Sequence, residues 1–211
     1  SSLAQMANMT ILYVRNLLLN GTLDGCFGAT SHLTEVSVQN NMLTGKLPQP
    51  LWRSLVTFIA YNNSFTGPLP EVSAGEEVGL RYYSVARNYI TGTLPSGLFV
   101  LPDINYFLVS ANFLNGTIDL QPTYRSSLAQ IFLDRNLLTG TIPAVLANYS
   151  NMVEISLSSN YLTGTVPVAL NNMSFLTYCS IFYFDFDRTL TSQKTILQGF
   201  ISILVFSSVI I

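Results

Sequence analysis

Apolar and variable positions alternate along the chain in a pattern that returns at a nearly constant period. In one copy, Leu128, Ile131 and Leu133 stand eight, five and three positions before Asn136. The last two apolar positions have the period of two that is typical of a short strand with one buried face. The pattern therefore predicts one short strand in each repeat.

The same three apolar positions recur through most of the chain. A unit of this size cannot enclose its own apolar side chains, so successive units must stack as the coils of a solenoid. The stacked strands then form a parallel sheet. The positions are filled by Leu33, Val36 and Val38; Leu55, Phe58 and Ala60; Leu80, Tyr83 and Val85; Ile104, Phe107 and Val109; and Met152, Ile155 and Leu157.

A polar phrase follows each predicted strand. "NLLTGTIP" at 136–143 returns as "NMLTGKLP" at 41, "NSFTGPLP" at 63, "NYITGTLP" at 88 and "NYLTGTVP" at 160, with a degenerate "NFLNGTID" at 112. Glycines mark the phrase at nearly equal steps along the chain, with one shorter and one longer step among them. They are Gly21, Gly45, Gly67, Gly92, Gly116, Gly140 and Gly164.

The asparagine of the phrase is predicted to point inward. A buried amide is tolerated only when it is hydrogen-bonded, and the backbones of adjacent coils supply partners. Glycine then allows a close approach of the backbone, and proline ends the strand pairing. In this interpretation the repeated phrase has a structural role and does not form a ligand site. It predicts a ladder of hydrogen-bonded asparagines: Asn41, Asn63, Asn88, Asn112, Asn136 and Asn160.

Together these residues resemble the plant-type leucine-rich repeat, LxxLxxLxLxxNxLTGxIPxxLxx, over residues 3 to 184. The resemblance implies an α/β solenoid: a right-handed superhelix with a parallel sheet on its concave side and short 3₁₀ turns on its convex side. It also implies a partial second sheet at the Thr-Gly-x-Leu-Pro segments. The chain departs from the repeat at Asp119, in the short coil between Gly45 and Gly67, and in the long return at 71–79.

The register divides the chain into three parts. Residues 1–184 hold about eight coils, whose first and last place Leu17 and Phe184 in the asparagine position, as capping coils would. The first coil lacks its upstream proline, so the chain is expected to be a fragment. A polar linker at 185–195 leads to an apolar tail at 196–211, interpreted as a membrane anchor, with a buried capping segment as the alternative.

Composition narrows the partners and the compartment. Charged residues make up 9% of the chain and the formal net charge is -2, which gives no electrostatic support for nucleic-acid binding. Glycosylation sequons predict a secreted glycoprotein at the cell surface or plasma membrane, with its repeats outside the cell. They begin at Asn8, Asn20, Asn62, Asn115, Asn148 and Asn172.

The residues that could carry chemistry are isolated. Cys26 and Cys179 lie six to seven coils apart, roughly 30 Å, which is too far for a disulfide within this fold. His32 has no nucleophile and acid partner to form a triad, and no Cys/His cluster suggests a metal site. We therefore expect no cofactor, no metal and no enzymatic activity.

A ligand is expected on the concave face, where residues flanking the buried strand positions point outward. Grouped aromatic, aliphatic and arginine side chains are typical of recognition surfaces, although sheet propensity alone also favours aromatics. A glycan on Asn62 would shield part of this face. The candidate ligand-binding residues are Ile59, Tyr61, Tyr82, Arg87, Tyr106, Leu108, Phe132, Asp134 and Arg135.

The resemblance implies proteins of three kinds: plant receptor-like ectodomains, plant cell-wall inhibitor proteins, and surface antigens of kinetoplastid protists. The Tyr- and Asn-rich composition inclines the interpretation toward the last kind. The first functional hypothesis is a cell-surface module that binds a protein, peptide or glycan on its concave face, with a role in signalling. The alternative is a glycosylated coat protein without a dedicated ligand.

Overall fold

The computed structural model describes residues 8–23, 27, 32–72, 78–120 and 127–181. Within them an eight-stranded parallel sheet forms one side of a solenoid, and each coil contributes one strand. Cys26, the linker and the apolar tail lie outside the described residues. The strands are β1 (Ile11–Tyr13), β3 (Glu35–Ser37), β5 (Thr57–Ile59), β7 (Tyr82–Ser84), β9 (Tyr106–Leu108), β11 (Gln130–Phe132), β13 (Glu154–Ser156) and β15 (Tyr178–Ser180).

The register of this sheet follows the predicted apolar positions. Val36 lies opposite Phe58, Phe58 opposite Tyr83, and Tyr83 opposite Phe107. The register holds although the step along the chain from Glu35 to its partner Thr57 is shorter than the step from Thr57 to its partner Tyr82. Differences in coil length are therefore absorbed outside the sheet.

A second set of short strands follows the ladder asparagines. It is broken into pieces of two, two and three strands. These strands overlap the beginning of the expected Thr-Gly-x-Leu-Pro segments, and most of them begin directly after the asparagine. They end before the proline, which lacks an N–H donor. They are β2 (Asn20–Thr22), β4 (Met42–Thr44), β6 (Thr66–Gly67), β8 (Tyr89–Ile90), β10 (Asn115–Thr117), β12 (Leu137–Thr141) and β14 (Tyr161–Thr163).

The return segments carry short helical turns. In the part of the chain that the structure describes, they are α1 (Ser96–Phe99) and two 3₁₀ helices, Ala144–Asn148 and Val168–Asn172. Each follows a proline in extended conformation, and the fixed φ of proline suits the residue at a helix start. Within the described residues, the expected 3₁₀ turns are thus present in two coils, and another coil has an α-helical turn.

The interior of the solenoid is a continuous apolar column. At its centre the rings of Phe58, Tyr83 and Phe107 stack along the solenoid, with centroids 5.7 Å and 5.9 Å apart. Phe99 of α1 meets Phe107 edge-on at 4.9 Å. All four side chains are fully buried, so the large aromatic residues in positions usually held by leucine fill the core.

The asparagine ladder ties each coil to the next. The Asn112 amide donates to the carbonyls of Val85 and Val109, both at 3.0 Å, and its Oδ1 accepts the Ile90 N–H at 2.9 Å. The equivalent bonds occur at all six ladder positions. Three backbone groups that end a strand are thereby satisfied by one side chain. The predicted fold class is confirmed.

Candidate ligand-binding surface

The outward face of the eight-stranded sheet is the predicted concave face, and tyrosines occupy its middle. The rings of Tyr82 on β7 and Tyr106 on β9 lie 5.0 Å apart. Partial burial raises the pKa of Tyr82, with smaller contributions from Tyr61 and Tyr106, so its hydroxyl stays neutral. We call Ile59, Tyr61, Tyr82, Tyr106 and Leu108 the aromatic patch.

The patch side chains are half-buried, and the rings of Tyr82 and Tyr106 pack against each other across adjacent strands. This arrangement fixes their orientation before any ligand arrives, so little rotamer freedom is left to lose on binding.

The remaining candidate residues lie around a hollow of about 460 Å³ toward the C-terminal coils. Arg87, Phe132, Asp134 and Arg135 line it, whereas the aromatic patch does not. The predicted site is thus two adjacent areas. The hollow also includes Glu154 and Tyr178, which were not among the candidates, and Ala86, Ser110, Ala111 and Ser156.

The hollow carries both signs of charge. Arg87 and Arg135 supply two guanidinium groups, and Asp134 and Glu154 supply two carboxylates. Ser110 donates a hydrogen bond of 2.5 Å to Asp134 Oδ1, which holds that carboxylate in place. Such a surface can pair with cationic and anionic groups of one ligand.

The residue before each ladder position adopts a left-handed backbone. φ is 55° at both Arg87 and Arg135. This conformation costs a residue with a Cβ about 1–2 kcal/mol, and asparagine tolerates it better than arginine. Asparagine holds the position in the first coils, where Asn40 donates to Asn16 at 2.6 Å and Asn62 to Asn40 at 3.0 Å. The arginines are therefore not the residues that the backbone favours.

At the other end of the concave face is a small polar cluster. The Tyr13 hydroxyl donates to Glu35, and the Arg15 guanidinium lies 5.0 Å from the centre of the Tyr13 ring. The hydrogen bond to Glu35 is the largest cause that raises the pKa of Tyr13. None of these residues was among the candidates, although Tyr13 lies on β1, Glu35 lies on β3 and Arg15 follows β1 by two residues.

The isolated residues have no catalytic surroundings in the described part of the chain. His32 is exposed. Cys179 is a free thiol whose pKa burial raises to about 11, so it is a poor nucleophile at neutral pH. No group of three or more His, Cys, Asp or Glu side chains suited to a metal lies within those residues.

The six sequon asparagines are all exposed. Asn20 on β2 and Asn115 on β10 lie on the second set of strands, and Asn148 and Asn172 end the two 3₁₀ helices. Asn62 differs, because its amide is already a donor in the exposed asparagine row.

A stripe of exposed apolar side chains was not predicted from the sequence, and it runs along the second set of strands and the residues just before them. Each residue directly follows a ladder position and alternates with a buried residue such as Leu43 or Leu114. Tyr89 and Phe113 stack with centroids 6.1 Å apart. The lateral stripe consists of Leu18, Met42, Tyr89, Phe113, Leu137 and Tyr161, between 39% and 81% exposed.

Within the described residues there is no helix long and apolar enough to cross a membrane. The predicted anchor at 196–211 lies outside them and stays a prediction from sequence.

Comparison with known proteins agrees with this architecture. The sequence profile of the Leucine Rich Repeat family matches residues 151–173. No curated protein sequence matches the chain. Residues 151–173 are therefore similar to the leucine-rich-repeat family, whose repeat the other coils resemble in sequence pattern.

Similar solved structures include several plant receptors. The plant peptide hormone receptor RGFR1 in complex with RGF2 is 26% identical, with a TM-score of 0.77 over 86% of this chain and 29% of that one. The Arabidopsis receptor kinase HAESA, in complex with the peptide hormone IDA and the co-receptor SERK1, is 26% identical, with a TM-score of 0.76 over 83% and 30%.

The ectodomain of GASSHO1/SCHENGEN3 from Arabidopsis thaliana, in complex with CASPARIAN STRIP INTEGRITY FACTOR 2, is 26% identical, with a TM-score of 0.72 over 87% and 22%. The chain therefore spans less than a third of the length of these receptors.

Proposed function

We propose that this chain is an extracellular recognition module at the cell surface that binds a peptide, or an extended segment of a protein, on its concave face as part of signalling. The proposal rests chiefly on Arg87 and Arg135, which adopt an unfavourable backbone conformation beside the hollow. Strain at exposed residues is characteristic of functional positions.

The dimensions of the hollow suit an extended peptide. Its lining residues come from the coils of β7 to β15, five neighbouring strands that span about 19 Å at the usual spacing of 4.8 Å. About six extended residues cover that distance at roughly 3.3 Å each. The mixed charges of the hollow and the adjoining aromatic patch offer such a peptide ionic and apolar contacts.

The structural neighbours support the same class of ligand. RGFR1 and HAESA are both described in complex with peptide hormones. The ectodomain of the membrane receptor kinase GASSHO1/SCHENGEN3 supports an extracellular location. The apolar C-terminal tail is our candidate for the contact with the membrane.

The proposal can be tested with a displayed library of random dodecapeptides selected on the chain. We expect the double variant Arg87→Asn/Arg135→Asn to bind the selected peptides at least about tenfold more weakly, since buried arginine contacts are frequent hot spots. Asparagine suits the left-handed backbone, so the urea midpoint should stay equal or rise. Tyr82→Ala/Tyr106→Ala should also weaken binding without unfolding the chain.

The matched control is Ser159→Asn, in the same backbone position outside the hollow, where φ is 53°. It should bind the peptides as the unchanged chain does. Equal peptide affinity for the arginine double variant and the control would refute the proposed site.

A further inference from the structure

The lateral stripe coincides with a sequon. Phe113 and Asn115 are two residues apart on one extended segment, and Leu114 between them is fully buried. Strand alternation places both outward side chains on the same face, about 7 Å apart. The segment reads Phe113-Leu114-Asn115-Gly116-Thr117, so the sequon begins within reach of an exposed ring.

The Asn115 side chain is available for modification. Its backbone N–H donates to the Gly92 carbonyl at 2.8 Å, while its amide makes no hydrogen bond within the described part of the chain. The Asn62 amide, in contrast, already donates to Asn40. Asn115 is thus an exposed asparagine with a free amide on a rigid strand.

The surroundings of Asn115 have the chemistry of a sugar-binding face. The outward residues of the neighbouring strands β8, β12 and β14 are uncharged, being tyrosine, leucine and threonine. Thr139 on the next coil donates to the Gly116 carbonyl at 3.3 Å, which leaves its oxygen lone pairs free to accept from a sugar hydroxyl. Leu137 lies opposite Asn115 on β12 and Phe113 lies two residues before Asn115, so both supply exposed apolar surface next to the sequon.

We propose that Asn115 carries an N-linked glycan whose first N-acetylglucosamine packs on Phe113 and Leu137, so that the chain's own sugar covers the middle of the lateral stripe. Contact between the exposed edge of the Phe113 ring and the C–H groups of the sugar removes apolar surface from water, which stabilises the packing. The glycan therefore leaves the concave face to the ligand. This inference rests on the proposed extracellular location, since N-glycosylation requires the secretory route.

The test supplies that route itself. The full chain is expressed behind a fused secretion leader in cells that make only high-mannose glycans, and the occupancy of every sequon is mapped by peptide mass spectrometry. We expect Asn115 to be occupied. An empty Asn115 beside occupied Asn148 and Asn172 would overturn the inference and would leave the proposed concave-face function untouched.

A thermodynamic cycle tests whether the sugar packs on Phe113, by comparing Tm with and without the sugar and with and without the ring. It uses a chain in which the asparagines of the other five sequons are changed to glutamine. An endoglycosidase trims the Asn115 glycan to one N-acetylglucosamine, and Asn115→Gln provides the bare chain. The single sugar should raise Tm by about 2–4 °C, the shift that a modest contact gives in a domain of this size. Phe113→Ala should abolish the increment.

The matched control carries its only sugar on Asn172, on the return side. There, Phe113→Ala should leave the effect of the sugar on Tm unchanged. An Asn115 increment of the same size with and without Phe113 would refute the packing. A second copy of the chain could cover the stripe instead of the glycan, and analytical sedimentation tests this alternative. If the glycosylated chain is a dimer that both Phe113→Ala and Tyr161→Ser dissociate, the stripe is a dimer interface.

Discussion

At the scale of single residues, the hydroxyl of Tyr83 is an anomaly in an otherwise well-satisfied interior. The ring fills its place between Phe58 and Phe107, but the hydroxyl is buried and has no hydrogen-bond partner within the described residues. A buried polar group without a partner costs about 1–3 kcal/mol. The ring of Tyr83 therefore stabilises the core, whereas its hydroxyl oxygen lowers the free energy of unfolding.

Tyr83→Phe should accordingly stabilise the chain by about 1 kcal/mol, because it removes the oxygen and keeps the ring. The measurement is the urea midpoint at 25 °C. The control is Tyr82→Phe, one residue away on the half-exposed outward face, which should change the midpoint little. A lower midpoint for Tyr83→Phe would mean that the hydroxyl is bonded to a buried water.

At the scale of elements, α1 packs tightly against the preceding coil. A Cβ added to Gly97 would lie 2.0 Å from the Val72 carbonyl oxygen. No side chain fits there unless the helix moves away and loosens the burial of Leu98 and Phe99. The glycine thus sets the distance between two neighbouring return segments.

We predict that Gly97→Ala lowers the free energy of unfolding by about 3 kcal/mol, against the gain of up to about 1 kcal/mol that alanine brings to a free helix. Chemical denaturation measures the loss. Gly79→Ala is the matched control, because its new Cβ would meet only the Arg53 carbonyl, at 3.8 Å. Equal stability of the two variants would show that α1 shifts freely.

The sequence predicted those elements that recur in every coil. Val36, Phe58 and Asn88 occupy positions defined by the period, and the period alone determines which of them pack together. Only some of the residues that line the hollow were predicted. Tyr178 reaches the hollow from the last described strand, and the curvature that brings five strands together cannot be deduced from the sequence of a single coil. The lateral stripe could have been found, since Met42 and Phe113 alternate with buried leucines.

The left-handed backbone at Arg87 and Arg135 is a subtler case. Asparagines at Asn16, Asn40 and Asn62 hint at the conformation, because asparagine accepts it readily. In later coils arginine holds this position, so the sequence there does not indicate a left-handed backbone. A backbone conformation is therefore hard to predict from sequence at a position where the side chain serves another role, as we propose for these arginines.

At the scale of the whole molecule, buried phenols and a thiol make the fold sensitive to alkaline pH. Burial raises the pKa of Cys179 from 9.0 to about 11 and that of Tyr149 from 10.0 to about 12, and it also raises the pKa of Tyr83. The folded state holds these protons more tightly than the unfolded chain does. Their contribution to stability is complete below pH 9 and is lost as the pH rises toward 12.

The urea midpoint should therefore be level up to about pH 8.5 and fall steadily from pH 9 to 12. Removing the thiol with Cys179→Ala should flatten the profile between pH 9 and 11, because a pKa difference of two units corresponds to at most about 2.7 kcal/mol. Exposed Tyr161→Phe is the control and should leave the profile unchanged. A midpoint that stays level to pH 12 would contradict the assignment of these groups to the core.

The sheet keeps its register although its coils differ in length, and this has a consequence for how such a protein diversifies. A gene segment that encodes one coil can be duplicated, lost or exchanged in frame, and the neighbouring coils still meet the same apolar column and the same asparagine. Each exchange brings a new set of outward side chains to the concave face. Recombination can therefore alter what the surface recognises without new folding information.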